Sequence, residues 1–413
     1  MVSNIYRMPD SGYRIKDDGR SGNSILSTRN SGPGTRNPQN AMPYALCVNR
    51  NPQLAPHAMR HSPRATRLNR RVIGLLVFLT VCFHLSTAPC SDRTDDELPV
   101  MTGERIRLLR SEIPPLDLST KPVVSPDAVA YFRSYNIDFP GRAHFFGRFP
   151  SGDFAVAAHV FLPPSPRGTV FLLHGYFDHT GILKNLIRHC LEREWAVACF
   201  DLPGHGLSSG ERGSVDDFSQ YVGVLEDFVA ICSSRLPKPY HVIGHSLGAA
   251  IILEFVFNTD HRDKIFDNTI LVAPLIHHSH YNITRFQHFF TKPFVKRFPR
   301  NFRSNSSDPA FVRWVKQDPL QGRKIPLIWL EALYNWNERM QNYDSVSTPL
   351  LVIQGTADKV VDWRYNIRLL KEKCDSLTVK WIEDGRHQLL NERQPLRDDV
   401  LLTISSYLAV PDR

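Results

Sequence analysis

Three stretches of this sequence carry side chains able to act together as a nucleophile and its support. "GHSLG" sets Ser246 between Gly244 and Gly248, directly after the apolar "YHVI" and before the small, apolar "AAIILEF". A serine on a tight strand-to-helix turn needs glycines two residues away on both sides, where larger side chains would collide. The helix that follows turns its first N–H groups, that of Leu247 foremost, toward a developing negative charge. A serine hydroxyl attacks poorly unless a base takes its proton and a carboxylate orients the base. "LLVIQGTADKVVD" leaves an apolar run with Asp358 in its exit, and "VKWIEDGRHQLLNE" leaves another with His387. Ser246, Asp358 and His387 therefore follow in the order nucleophile, acid, base, each at the C-terminal end of an expected strand. Asp362 competes with Asp358, but it opens a helical period that it would cap. Glu383 and Asp384 are too near His387 along the chain to orient it.

Other polar clusters read as structure. "HGYFDHTG" packs two histidines and an aspartate into six positions. Its expected role is a loop in which His174 and Gly175 shape the turn and Asp178 and His179 lock it by hydrogen bonds. In "DLPGHGLSSGERG", Asp201, His205 and Ser208 fit a turn with glycines at positive φ and polar side chains bonding the backbone. "HHSH" at 277–280 lacks the i, i+4 histidine spacing of a helical metal site. The seven cysteines, at 47, 82, 90, 190, 199, 232 and 374, show no paired metal spacing; Cys82, Cys199 and Cys232 lie in apolar patterns and are expected as buried thiols. No nucleotide-cradling loop, redox motif, cofactor site or metal site stands out.

The elements that must position these residues are strands and helices in alternation. "HFFGRFP" and "FAVAAHVFLPP" read as two strands joined at "SGD", followed by "GTVFLLHG", "WAVACFDLPGHG", "YHVIGHS", "NTILVAPL", "PLLVIQGTAD" and "LTVKWIEDGRH". Most are continuous apolar runs, as strands buried on both faces require. Helical periods such as "ILKNLIRHCLER" and "DWRYNIRLLKEKC" separate them, which predicts a doubly wound, mostly parallel sheet with an antiparallel start. Residues 277–345 interrupt the alternation. They hold 13 aromatics and 11 Lys and Arg against 5 Asp and Glu, the composition expected of an inserted helical cap.

Charge and hydropathy divide the chain further. The net charge of +9 comes from residues 1–71, with 12 basic against 3 acidic side chains; the remainder carries 38 of each sign. A neutral body with a basic leader argues against a nucleic-acid binder. Residues 1–60 lack any sustained apolar period and are expected to be disordered. Residues 61–92 follow the grammar of a signal peptide: a basic flank, the 14-residue apolar run at 72–85, then "STAPC". An uncleaved anchor and a start at Met59 remain alternatives, and Cys90 resembles a lipid acceptor only weakly, because Pro89 precedes it. These features predict an exported or membrane-anchored protein in preference to a cytoplasmic one. Residues 93–120 are expected as a linker to a catalytic domain at 121–413.

"HGYFDHTG", "DLPGHGLSSGERG", "GHSLG", "GTADKVVD" and "GRHQLLNE", in that order from 174 to 392, resemble the α/β-hydrolase-fold serine hydrolases. Within these, the resemblance is to the monoacylglycerol lipase and lysophospholipase group. It implies an α/β-hydrolase fold over about 120–410, with Ser246 as nucleophile, Asp358 as acid and His387 as base. It further implies oxyanion donors at the backbone N–H groups of Leu247 and Tyr176. Many relatives carry a small residue where Tyr176 stands, so its ring would narrow the acyl entrance. The activity implied is hydrolysis of a lipid-like acyl ester, monoacylglycerol or lysophospholipid, without a cofactor and with membrane contact through the leader and the basic, aromatic cap. A proline-aminopeptidase-type serine peptidase shares this fold and triad, but would want an acidic pocket for the substrate's amino group. A catalytically silent binding protein on the same fold is the third reading.

Overall fold

The computed structural model describes residues 101–122, 124–258 and 265–409, all within the compact unit Asp92–Arg413. Residues 1–60, expected to be disordered, the signal-like run 72–85, Cys82, Cys90 and the alternative start at Met59 lie outside the described residues. The strands are β1 (Ala143–Ser151), β2 (Phe154–Leu162), β3 (Thr169–Leu173), β4 (Ala196–Phe200), β5 (Tyr240–His245), β6 (Asn268–Val272), β7 (Arg297–Pro299), β8 (Lys324–Pro326), β9 (Leu350–Gly355) and β10 (Leu377–Ile382). The helices are α1 (Gly103–Glu112), α2 (Pro126–Ser134), α3 (Lys184–Leu191), α4 (Ser219–Ser233), α5 (Leu247–Asn258), α6 (Tyr281–Thr291), α7 (Pro309–Gln317), α8 (Leu327–Asn342), α9 (Trp363–Lys373) and α10 (Leu396–Leu408).

Eight strands form one sheet in the order β1-β2-β4-β3-β5-β6-β9-β10. β1 pairs antiparallel with β2, and β2 with β4; every later pairing is parallel. This is the α/β-hydrolase fold. Both sheet faces are covered, so the inner strands are apolar throughout and their residues alternate between two cores. Phe171 and Leu173 of β3 join α4, α5, α8 and α9 on one face; Val170 and Leu172 join α1, α2, α3 and α10 on the other. β3 lies between β4 and β5, which places the loops leaving β3 and β5 side by side at a switch point of the topology.

Two expectations need correction. Residues 93–120 are not a plain linker, since α1 occupies 103–112 and buries Ile106 and Leu109 with Met101 in the second core. Its charged sequence, GERIRLLRSE, shows only a narrow apolar seam, but Thr102 Oγ1 caps it by accepting from Arg105 N (3.3 Å). Beyond it, Leu116 N donates to Arg148 O and Arg148 N to Pro114 O, both at 2.7 Å, so the segment lines the β1 edge. The insertion between β6 and β9 is not purely helical either: β7 and β8 pair as a small antiparallel sheet among α6, α7 and α8.

Candidate active site

Ser246 sits between β5 and α5 with φ 53°, a left-handed conformation that is strained for a non-glycine residue. Its neighbours explain the glycines. A Cβ on Gly244 would come within 2.5 Å of the Gly248 backbone, and one on Gly248 within 2.3 Å of Leu173 O. Ser246 N donates to Val272 O (2.9 Å), fixing the turn to β6. Leu247 is the first residue of α5, where an N–H has no acceptor within the helix.

His387 and Asp358 converge on the serine. His387 Nε2 lies 3.0 Å from Ser246 Oγ, and His387 Nδ1 lies 2.8 Å from Asp358 Oδ2. Asp358 Oδ1 accepts from Val360 N (2.8 Å) and Val361 N (3.2 Å), and Oδ2 also accepts from Gln354 Nε2 (3.3 Å). Burial works to raise the Asp358 pKa, but its attraction to His387 and these hydrogen bonds leave it below the ordinary carboxylate value. An ionised carboxylate only accepts, so Nδ1 carries the imidazole proton and Nε2 is left to accept from the serine hydroxyl. All three residues are buried. Asp362, the competing acid, caps α9 by accepting from Tyr365 N (3.2 Å), while Glu383 accepts from Thr356 Oγ1 (3.1 Å).

Leaving β3, the loop "HGYFDHTG" approaches this group at Gly175, where a Cβ would lie 2.8 Å from Nδ1 of His245, the residue before Ser246. His174 Nε2 accepts from Leu202 N (2.9 Å), Asp178 Oδ2 from Gln388 Nε2 (2.9 Å), and His179 Nε2 donates to Asp318 Oδ2 (2.9 Å). The loop's polar residues are thus fasteners. Asp201 plays the same part in its turn, accepting from Thr180 N (2.8 Å) and Leu207 N (2.7 Å), while Ser208 Oγ donates to Asp201 O (2.5 Å). In "HHSH", His277 is stacked between Tyr281 (3.6 Å) and Tyr365 (3.7 Å). Among the described residues no group of three or more His, Cys, Asp or Glu could hold a metal ion. Cys190, Cys199, Cys232 and Cys374 are free and buried, and burial pushes their thiols up in pKa.

The structure adds residues that no local motif marks. Asp318, in the cap, also accepts from Tyr135 Oη (2.7 Å), so one carboxylate ties the residue following α2 to the β3 loop. Glu392 accepts from Arg386 N (2.7 Å) and from Ser307 N of the cap (2.5 Å), which clamps the His387 loop. Gln388 N donates to Asn305 O (2.8 Å). Asp362 N donates to His277 O (2.9 Å) and Ser279 N to Val360 O (2.8 Å), fastening the Asp358 loop to the root of the cap. Apart from Arg386 and Glu392, these partners are far apart in sequence, so spacing could not reveal them.

Residues 164–394 match the family model described as Serine aminopeptidase, S33 (Hydrolase_4). The chain is 28% identical over 271 residues to the monoacylglycerol lipase of Mycolicibacterium smegmatis, covering 62% of this chain and 95% of that protein. It is 26% identical over 255 residues to the human monoglyceride lipase, covering 59% and 83%. Among solved structures, a soluble variant of the monoglyceride lipase from Saccharomyces cerevisiae, in complex with a substrate analog, superposes with a TM-score of 0.56 at 19% identity, over 63% of this chain and 94% of that one.

Proposed function

We propose that this chain, which belongs to the Hydrolase_4 family (Serine aminopeptidase, S33) and to the monoacylglycerol-lipase-like α/β hydrolases, cleaves lipid-like acyl esters through a serine-bound acyl intermediate. The observation that carries this reading is the relay from Ser246 Oγ through His387 to Asp358, at 3.0 and 2.8 Å. His387 Nε2 takes the serine proton as Oγ attacks the ester carbonyl, and returns it to the leaving alcohol as the tetrahedral intermediate collapses. Water then enters by the same route, with His387 again as base, and releases the fatty acid. Asp358 keeps Nδ1 protonated and stabilises the imidazolium. The backbone N–H groups of Leu247 and Tyr176 receive the oxyanion.

The cap supports an apolar substrate delivered from a lipid surface. Ile283, Phe286, Phe289 and Phe290 of α6, with Phe294 just beyond it, are between 57% and 83% exposed, and Lys292, Lys296 and Arg297 lie among and beyond them. An apolar row edged by cations suits an interface that carries anionic headgroups. The basic flank and apolar run preceding residue 86 support an exported or membrane-anchored protein, a reading that the intact mass of the mature chain would test. Monoacylglycerol and lysophospholipid are both substrates of this description. Turnover of each by the wild type and by Ser246→Ala is the decisive assay. We expect a loss of at least about 10⁴-fold; undiminished turnover by the variant would exclude the mechanism.

The family's description makes a peptidase the second reading. Its substrate's amino group would need an uncommitted carboxylate in the cap. Asp318 is held by His179 and Tyr135, Glu331 by Lys292 and Glu338 by Arg285, and Asp308 caps α7. Only the exposed Asp344 remains. Labelling by a fluorophosphonate tests the third reading, since a silent scaffold would leave Ser246 unmodified.

A further inference from the structure

Phe177, directly after Tyr176, has φ 66°. A bulky residue in the left-handed region is an outlier, and such a conformation persists only where its surroundings over-determine it. The surroundings here come largely from the cap. A Cβ on Gly322 would lie 2.1 Å from Phe177 Cδ1, so only glycine admits the ring. Gly213 makes the other wall, where a Cβ would lie 2.8 Å from Phe177 Cε1. Over the ring sits the Arg300 guanidinium, its carbon 4.6 Å from the Phe177 centroid and 4.3 Å from that of Phe302. Arg300 Nη1 donates to Gln321 Oε1 (2.7 Å) and Gly322 O (3.2 Å), and among the described residues the guanidinium has no ion-pair partner. Tyr176 is gripped from the same side. Its ring stacks on Trp329 of α8 with centroids 3.6 Å apart and planes 13° apart, and its hydroxyl donates to Gly213 O (2.8 Å).

We propose that Phe177, Arg300 and Gly322 form a clasp by which the docked cap aims the Tyr176 N–H, and so completes the oxyanion hole. They are positioning residues, without contact with the reacting atoms. The proposal rests on Tyr176 serving as an oxyanion donor, as argued above. Its consequence is specific: loosening the clasp weakens binding of the charge that develops during reaction and leaves binding of the neutral ester largely intact.

The test uses the full chain and a soluble short-chain ester, so that lipid docking does not enter. Gly322→Ala, whose methyl must displace the Phe177 ring, should lower kcat about 10- to 100-fold, a part of what loss of a whole oxyanion donor costs, with KM changed less than about threefold. Inhibition by an alkyl trifluoromethyl ketone, which forms a tetrahedral oxyanion on the serine, should weaken by a similar factor. In the double variant Phe177→Ala/Gly322→Ala the added methyl meets no ring, so it should be no slower than Phe177→Ala alone. Arg300→Ala keeps the glycine backbone and supplies the same readouts if Gly322→Ala does not fold. Unchanged kcat, additive losses in the double variant, or unchanged ketone affinity would each overturn the clasp. Ser246→Ala, measured alongside, separates the two levels. If it stays active, the reading of the site fails; if it is dead while the clasp variants behave as wild type, the clasp alone fails.

Discussion

Residues 283–296 and 300–340 of the cap share a composition, aromatic and cationic, but meet opposite fates. In the second stretch Trp329 stacks on Tyr176, Trp336 is wholly buried with its Nε1 donating to Glu254 (2.8 Å), Arg300 lies over Phe177, and Arg339 forks onto Asp217 at 2.9 and 3.0 Å. In the first, the phenylalanines of α6 stack mainly on one another, Phe286 on Phe290 and Phe289 on Phe290, and face solvent. Aromatic content therefore says little until it is known what each ring faces. Where the hydrolase body offers a complementary loop or carboxylate, the cap is an anchor; where it offers none, the same residue types stay exposed and form the contact surface proposed above.

Substitutions can sharpen or break that contrast. The largest effect is expected on the anchored side. Asp318→Ala would leave the His179 N–H and the Tyr135 hydroxyl buried without their acceptor, and should cost roughly 3–5 kcal/mol of unfolding free energy by denaturant titration. A loss under about 1 kcal/mol would show that the anchor is dispensable. A smaller effect follows from pH. Burial works to raise Asp318, but His179 and Tyr135 outweigh it and hold its carboxyl below the ordinary 3.8. A depressed carboxylate contributes stability that is fully present above pH 3.8 and is lost as pH falls through the lower folded value. Asp318→Asn should accordingly flatten part of the acid limb of melting temperature against pH; an unchanged limb would remove the pair from the account. Least is expected on the free side, where Phe286→Ser, Phe289→Ser and Phe294→Ser should each change stability by no more than about 0.5 kcal/mol. Their combination should still lower co-sedimentation with anionic vesicles and leave turnover of a soluble ester unaltered. A triple variant that binds vesicles as well as wild type would place the contact surface elsewhere.

What could be read in advance depended on the range of the interaction. Ser246 announced itself because its strand, its glycines and its helix are contiguous, Tyr240 to Asn258, and Asp358 because it leaves the buried strand β9; His387 follows β10, a half-exposed sheet edge, and was marked by its place after the acid. The sheet was legible for the same reason, since burial on both faces writes an unbroken apolar run. Asp318, Arg300, Phe177 and Glu392 gave no such sign: the Tyr135–Asp318 bond spans 183 positions and the Ser307–Glu392 bond 85. α1 was hidden by its charges, because two buried residues in ten make too thin a stripe to separate a helix from a connection. Phe177 carries no sign in the sequence, as a left-handed backbone leaves no mark when the residue is not glycine.

The order of the strands has a consequence for synthesis. Ser246 and His387 stand 141 positions apart, with the whole cap made between them. The growing chain therefore contains Ser246 long before His387, the base proposed to activate it, has been made. The acid arrives only after the cap's anchors to the β3 loop have emerged, and the histidine arrives last. With Ser246, Asp358 and His387 acting as proposed, the chain becomes competent to cleave an ester only once synthesis has passed His387, a timing set by the order of its strands.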